Sequence, residues 1–252
     1  MLLAVDIGNS NIVIGIYQAD AWLHIWRLET SGQKNTQAYT MDLGDLFLEN
    51  SLHPRNIQKV VLSSVVPDLT LPWQTVLRDF LGQEPLTINA EVIAKLDLGL
   101  ERPHEIGADL VANAVAGYAR YQQPCIVVDF GTALTFTTIG AGRKVLGVAI
   151  APGLKTAMYS LFQNTAQLPP EVPLKMPSSA LGRTTPHALQ AGVVMGYVGL
   201  VQHLIAQIQT ELGEPCPIVA TGGLSGVIPE FRALFTEIVP TLTLDGLREI
   251  AG

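Results

Sequence analysis

Apolar positions along the chain fall into short blocks whose period switches between two residues and three to four. Over the first 30 residues the blocks read as three strands, at 2–7, 11–17 and 22–28, joined by Gly8-Asn9-Ser10 and Gln18-Ala19-Asp20. Tyr39, Leu43, Leu46 and Phe47 then fall near helical spacing and predict a helix over 36–50. A β-branched run at 59–63, a turn through Val65-Val66-Pro67-Asp68 and a helix over 71–81 follow. The second half restarts this order, with strands at 125–129, 134–139 and 145–150 and a helix opening near Gly153. A long helix over 186–212, a strand at 218–220, Thr221-Gly222-Gly223 and a further short helix complete it.

Shifting the halves by 123 positions lays Val5-Asp6-x-Gly8 on Val128-Asp129-x-Gly131. Each copy is a buried strand ending in Asp, a glycine turn, and two more strands. The shared order predicts an internal duplication, with the boundary near a helix at 107–121. The expected domains are therefore 1–115 and 116–252.

Composition narrows the chemistry. Of 252 residues 48% are apolar and 15% charged, which excludes a chain kept open by its own charge. The formal net charge is −7 and no stretch is rich in Lys and Arg, so neither nucleic acid nor an anionic membrane is an expected partner. A phosphate ligand would have to be held by backbone N–H groups, helix N-termini and a cation. Cys125 and Cys216 each follow a proline and open an apolar run, reading as buried thiols of a cytoplasmic protein. His24, His53, His104, His187 and His203 show no metal-ligand spacing. No P-loop and no Gly-x-Ser-x-Gly elbow occurs. Residues 184–210 hold no Asp, Glu, Lys or Arg, but scattered Gln and His interrupt them, which predicts a buried or interface helix and not a membrane span.

Candidate chemistry concentrates at the turns. In Asp6-Ile7-Gly8-Asn9-Ser10-Asn11, Gly8 admits positive φ, consecutive N–H groups can cup an anion, and Asp6 can orient a hydrated Mg²⁺. An ordinary Asx turn would look similar, but Asp129-Phe130-Gly131-Thr132 repeats the arrangement. Two such turns, one per domain, suit a polyphosphate and its metal. Thr221-Gly222-Gly223 would let a flat ring approach the backbone. Gly107-Ala108-Asp109 opens a helix on which Asp109 and Asn113 share a face. Asp109 reads either as acceptor of a substrate hydroxyl proton or as a carboxylate favoured by the helix dipole.

These motifs together resemble type III pantothenate kinases, a family in the superfamily of actin and many sugar kinases. The resemblance runs through Asp6 to Asn11, Ser63-Ser64-Val65-Val66-Pro67, Gly107-Ala108-Asp109, Val127 to Ala133, Ala151-Pro152-Gly153, Thr165-Ala166-x-Leu168-Pro169 and Thr221-Gly222-Gly223. It implies an α/β fold of two ribonuclease H-like domains of the actin/sugar-kinase-like ATPase type, each a mixed sheet with flanking helices. It implies ATP-dependent phosphorylation of pantothenate to 4'-phosphopantothenate, the first step of coenzyme A biosynthesis. Carried over by position, Asp6, Ile7, Gly8, Asn9, Ser10, Asn11, Ile12 and Val13 form a phosphate loop, Thr132, Gly222 and Gly223 contact ATP, and Asp129 holds a monovalent cation. Asp109 becomes the proton acceptor, and Gly107, Ala108, Leu110 and Thr184 fall at pantothenate positions. ATP, Mg²⁺, K⁺ or NH₄⁺, and a homodimer are implied.

Three residues depart from the family pattern. Leu110 stands where Arg is usual, Leu100 where Tyr is usual, and Arg183 where the family has Asn. All lie on the pantothenate side, and Arg183 is expected to replace part of the charge missing at 110. The competing readings are a non-catalytic nucleotide-binding accessory protein and a phosphohydrolase of the same fold.

Overall fold

A computed structural model describes residues 1–169 and 171–252 of the chain. It forms two compact units, Met1–Ala116 with Thr243–Gly252, and Gly117–Leu242. The first contains strands β1 (Leu2–Ile7), β2 (Asn11–Gln18) and β3 (Ala21–Glu29), helix α1 (Thr36–Glu49), β4 (Lys59–Ser64), α2 (Pro67–Leu81), β5 (Leu86–Thr87) and α3 (Ala90–Lys95). Helix α4 (Ala108–Tyr121) carries the boundary. The second unit contains β6 (Cys125–Phe130), β7 (Ala133–Ile139), β8 (Val145–Pro152), α5 (Leu154–Gln163), α6 (Thr185–Leu189), α7 (Gly196–Leu212), β9 (Ile218–Thr221) and β10 (Glu237–Ile238). Helix α8 (Leu242–Ala251) ends the chain.

The duplication is visible in the sheets. The first has order β3-β2-β1-β4-β5 and the second, read from its other edge, β8-β7-β6-β9-β10. In both, the first three strands are antiparallel neighbours and the fourth pairs parallel to the first. Alternation along β1 sends Leu3, Val5 and Ile7 to one face, where Tyr39, Leu43 and Phe47 of α1 and Leu69, Trp73 and Leu77 of α2 cover them. In the second sheet Ile126, Val128 and Phe130 face Tyr197, Val201 and Ile205 of α7.

Helix α2 begins four residues before the expected start at 71. Pro67 takes the first turn, where its missing N–H costs nothing, and Pro72 sits inside the helix. The long helix 186–212 is interrupted by a π-helical stretch, Gln190–Met195. By length and composition the whole run Thr185–Leu212 is apolar enough to cross a membrane. Its buried positions Val194, Tyr197, Val201 and Ile205 follow helical spacing and close the core of the second sheet. The short helix expected after Gly223 is a 3-10 turn, Pro229–Leu234.

The expected boundary of 116–252 for the second domain needs correction at its far end. Helix α8 packs with the first unit, as three contacts explain. Trp22 Nε1 donates to Asp245 at 2.7 Å. Arg248 donates to the Tyr17 hydroxyl at 2.6 Å and lies 4.7 Å from the centre of its ring. Gly246 lets α8 touch α4: a Cβ there would overlap the Ala112 carbonyl oxygen and stand 2.8 Å from Ala112 Cα. Gly246→Ala is therefore expected to lower stability by about 1–3 kcal/mol, the usual cost of overpacking. Gly199→Ala on α7, where a Cβ meets nothing within 4 Å, is expected to raise it by about 0.5–1 kcal/mol. Thermal melts of the two variants check the contrast.

Candidate active site

Parallel pairing sets where chemistry can sit. β1 and β4 run the same way, as do β6 and β9, so their carboxyl ends share one edge of each sheet. Open α/β sheets bind ligands beyond such ends. In the first unit Asp6 lies in β1–β4 register with Ser63. In the second Asp129 lies in register with Thr221.

The first turn is tied at both ends. The Gly8 N–H donates to the Asn11 carbonyl at 2.9 Å, and the Thr30 hydroxyl donates to the Gly8 carbonyl at 2.7 Å. Gly8 does not adopt the positive φ expected of it. Space is tight instead, since a Cβ would stand 3.1 Å from the Asn11 oxygen. Asn9, Ser10 and Asn11 are exposed, Gly8 and Val13 half-buried. Ile7 and Ile12 are wholly buried in the core, so what they offer a ligand is backbone.

The second turn is one residue shorter, with only Gly131 and Thr132 between β6 and β7. The start of α5 braces it. The Gly153 N–H donates to the Thr132 carbonyl at 2.9 Å and the Thr156 hydroxyl donates to the same oxygen at 2.7 Å. A Cβ on Gly153 would stand 2.5 Å from that oxygen, which is why glycine opens this helix. Gly222 lies at φ +89°, and a Cβ there would overlap Asp129 Oδ1 and stand 2.7 Å from Phe130 N. Asp129, Gly131, Thr132, Gly153 and Gly222 are thus gathered by local geometry, with Gly223 exposed beside them.

Gly107-Ala108-Asp109 reaches the same edge of the first sheet. The Val65 N–H donates to the Ile7 carbonyl at 3.0 Å, and a Cβ on Gly107 would stand 3.5 Å from Val65 Cγ1. That Cβ would also stand 2.5 Å from Asp109 Oδ1, so glycine at 107 leaves room for the carboxylate. Asp109 accepts from the Leu110 N–H at 2.8 Å. Burial nevertheless pushes its carboxyl above the ordinary range, outweighing the backbone hydrogen bonds. Asn113 faces elsewhere: it is fully buried and accepts from the Thr243 hydroxyl at 2.9 Å, tying down α8. Ala108 and Leu110 are buried core residues.

Thr184 is the N-cap of α6 and accepts from the His187 N–H at 3.4 Å. Arg183 beside it is exposed, and Leu100 is half-buried. Gly182 packs against α6, a Cβ there falling 2.5 Å from Ala188 N. Three of the five histidines serve the scaffold: His24 stacks on Trp26, His53 caps a 3-10 turn, and His187 Nε2 contacts the Ser179 carbonyl at 2.9 Å. Among the described residues no group of three His, Cys, Asp or Glu could hold a metal alone. Burial pushes the Cys125 thiol up to about 12, so it is inert as a nucleophile.

Ser63, Thr221, Gly153 and Thr156 were not singled out for site roles by sequence reasoning. Their signal was available only as the short motifs Ser63-Ser64, Thr221-Gly222-Gly223 and Ala151-Pro152-Gly153, whose meaning depends on which strand lies alongside.

A family model described as type III pantothenate kinase matches residues 2–207. The chain belongs to the type III pantothenate kinase family. Relatives of that name include one from Roseiflexus sp. (strain RS-1), 42% identical over 250 residues, covering 99% of this chain and 98% of the relative. Another, from Myxococcus xanthus (strain DK1622), is 38% identical over 252 residues, covering 100% and 98%. Among solved structures, the activator of 2-hydroxyisocaproyl-CoA dehydratase from Clostridium difficile with bound ADPNP aligns at TM-score 0.52 and 12% identity, covering 99% of this chain and 92% of that one. Component A of (R)-2-hydroxyglutaryl-CoA dehydratase from Acidaminococcus fermentans aligns at TM-score 0.52 and 8% identity, covering 99% and 95%. These likenesses, with the two mixed sheets, show the actin/sugar-kinase-like ATPase fold.

The half-buried carboxylate of Asp109 at the start of α4 has a measurable cost. A carboxyl whose folded pKa lies above its unfolded one favours the fold only while protonated. That contribution is complete below the unfolded value of about 3.9 and is lost as pH rises through the folded value. Asp109→Asn keeps an acceptor for the Leu110 N–H and removes the ionisation. It is expected to raise Tm at pH 7 and to leave it unchanged near pH 3, as melts at both values would report.

Proposed function

We propose that this protein transfers the γ-phosphoryl group of ATP to the hydroxyl of pantothenate. The observation that carries the reading is Asp109, a half-buried carboxylate with raised pKa, held at a helix start beside the carboxyl ends of β1 and β4 in a chain of this family. Desolvation raises the pKa of this carboxyl and so makes it a better base than a solvated one, which suits a group that accepts the hydroxyl proton as the new P–O bond forms. Phosphoryl transfer runs through a loose transition state, so fixing the hydroxyl in line matters more than base strength. Gly107 supports that role by leaving the carboxylate space.

The residues present fit a phosphate and its cations. A chain with net charge −7 must hold phosphate by backbone, and the turn of Gly8 to Asn11 and that of Gly131 and Thr132 expose backbone beside a carboxylate. Gly222 leaves open a space beside Asp129 that any side chain would fill. In this reading Asp6 orients hydrated Mg²⁺ and Asp129 holds K⁺ or NH₄⁺. When bound, these cations neutralise the phosphate charge that would otherwise repel both carboxylates. Thr132, Gly222 and Gly223 lie at nucleotide positions, and Gly107, Ala108, Leu110 and Thr184 at pantothenate positions. Buried Leu110 offers no charge to the pantothenate carboxylate, and exposed Arg183, next to Thr184, is the cation we assign to it. A homodimer is part of the proposal, supported by exposed Ile150 and Leu146 on edge strand β8 and by the absence of charged residues over 184–210.

The deciding test is ADP release with and without pantothenate. ADP formed only with pantothenate, together with 4'-phosphopantothenate, supports the kinase. Phosphate released without it would mark a phosphohydrolase, and nucleotide binding without turnover an accessory protein. Asp109→Asn is expected to lower kcat by about 10²–10⁴-fold, the scale of a positioned proton acceptor. Near-wild-type turnover in that variant removes Asp109 from the mechanism. A second expectation concerns the cation. Activity in K⁺ or NH₄⁺ should fall sharply in buffers holding only Na⁺ or Tris, and Asp129→Ala should abolish the difference. Full activity in Tris alone would refute it.

A further inference from the structure

The strand parallel to each aspartate-bearing strand carries a buried hydroxyl at the same level. Ser63 is the register partner of Asp6, and Thr221 that of Asp129. Ser63 is 0% exposed and Thr221 1%. Neither Ser63 Oγ nor Thr221 Oγ1 meets a hydrogen-bond partner among the described residues. Native folds leave few buried hydroxyls unpaired, and ordered water usually completes those that lack a protein partner. Here two occur at equivalent places in the two sheets.

Register partners point to the same face of a sheet, so each hydroxyl shares its face with the carboxylate one strand away. Neighbouring strands lie about 4.8 Å apart, which leaves room for one water between two short polar side chains. One pleat further from the site, on the same faces, the positions are Val61 and Val219. On the strand parallel to each aspartate-bearing strand, the hydroxyl therefore stands in the row that holds the carboxylate and is replaced by valine one pleat further on. The second sheet extends the feature. Thr135 faces Asp129 from β7 and Thr137 lies two residues on, both with buried hydroxyl oxygens lacking a partner. Asp6 has apolar Val13 in the place of Thr135.

We propose that Ser63 and Thr221 are positioning residues. Each binds one internal water shared with the neighbouring aspartate, and through it holds that carboxylate toward the open side of its turn. Thr135 adds a second such hydroxyl at Asp129, so the second unit holds more internal water than the first. The inference rests on the reading that both aspartate turns serve MgATP.

The test is MgATP binding measured by calorimetry without pantothenate, paired with thermal melts. Thr221→Val keeps the shape and removes the hydroxyl; Thr221→Ser keeps the hydroxyl and removes a buried methyl. Thr221→Val and Ser63→Ala are expected to weaken MgATP by roughly tenfold, the scale of a hydrogen bond to a charged group. Thr221→Val should melt no lower than wild type. Thr221→Ser should melt lower yet bind MgATP within about twofold of wild type, because the water-bridged hydroxyl remains. A merely structural role predicts the reverse order, and affinity that follows Tm across the series overturns the proposal. Asp6→Ala and Asp129→Ala separate the two readings. If they lose MgATP while Thr221→Val and Ser63→Ala bind it as wild type, the positioning role alone is wrong. If the aspartate variants also bind as wild type, the nucleotide reading fails and this inference with it. A high-resolution crystal structure of the wild-type protein gives a check independent of variant folding. Ordered water touching Ser63 Oγ and Thr221 Oγ1 supports the proposal, and its absence at both overturns it.

Discussion

Everything in each unit depends on one parallel strand pairing. A parallel neighbour must be reached by a crossover, and the crossover brings the ends of both strands to the same edge. In the first unit the chain travels from β1 through β2, β3 and α1 before β4 returns beside β1. In the second it travels from β6 through β7, β8 and the α5 to α7 region before β9 returns beside β6. That return sets a hydroxyl next to each aspartate and a loop next to each turn. The hydrophobic strand cores supply the adhesion, and Ser63 and Thr221 stand at the row of the two aspartates, where apolar burial on β4 and β9 gives way.

Close backbone approach is the second constraint. An acidic chain that handles phosphate cannot rely on lysine and arginine, so it must present N–H groups and leave space around its carboxylates. Gly107 leaves room for Asp109, Gly222 for Asp129, and Gly153 for the Thr132 carbonyl. These glycines carry no chemistry of their own. Each keeps a side chain out of a place that a carboxylate or a carbonyl already occupies. The same economy of space appears away from the site, where Gly246 and Gly15 let α8 lie against α4 and β2.

Asp109 is subject to two opposed electrostatic influences. The helix start and the Leu110 N–H favour its charge, while burial opposes it more strongly. A carboxylate only needed for folding would sit more comfortably in solvent. Its neighbour Asn113, four residues on, has the opposite fate: it is fully buried, paired with Thr243, and serves the attachment of the last helix.

Local pattern sufficed for the elements that bury one face over many residues. β1, β6 and α1 fall within a residue of their expected ends because alternation and helical spacing report burial directly. The repeated Val-Asp-x-Gly likewise disclosed the duplication, and its chemistry pointed to phosphate before any strand was placed. What stayed hidden depends on partners distant in sequence. The two-residue strands β5 and β10 exist only because a longer strand lies beside them. The attachment of α8 to the first unit depends on Trp22, Tyr17 and Ala112, more than 130 positions away. Val65-Val66-Pro67-Asp68 reads as a turn, yet Pro67 already opens α2. Gly8 looked like a residue chosen for positive φ and does not adopt it; what the fold shows there is a tight approach to the Asn11 carbonyl oxygen. Sequence alone determined which residue types the site could use. Tertiary structure decided which of them meet, because register between strands is set by the packing of whole faces and not by any one residue.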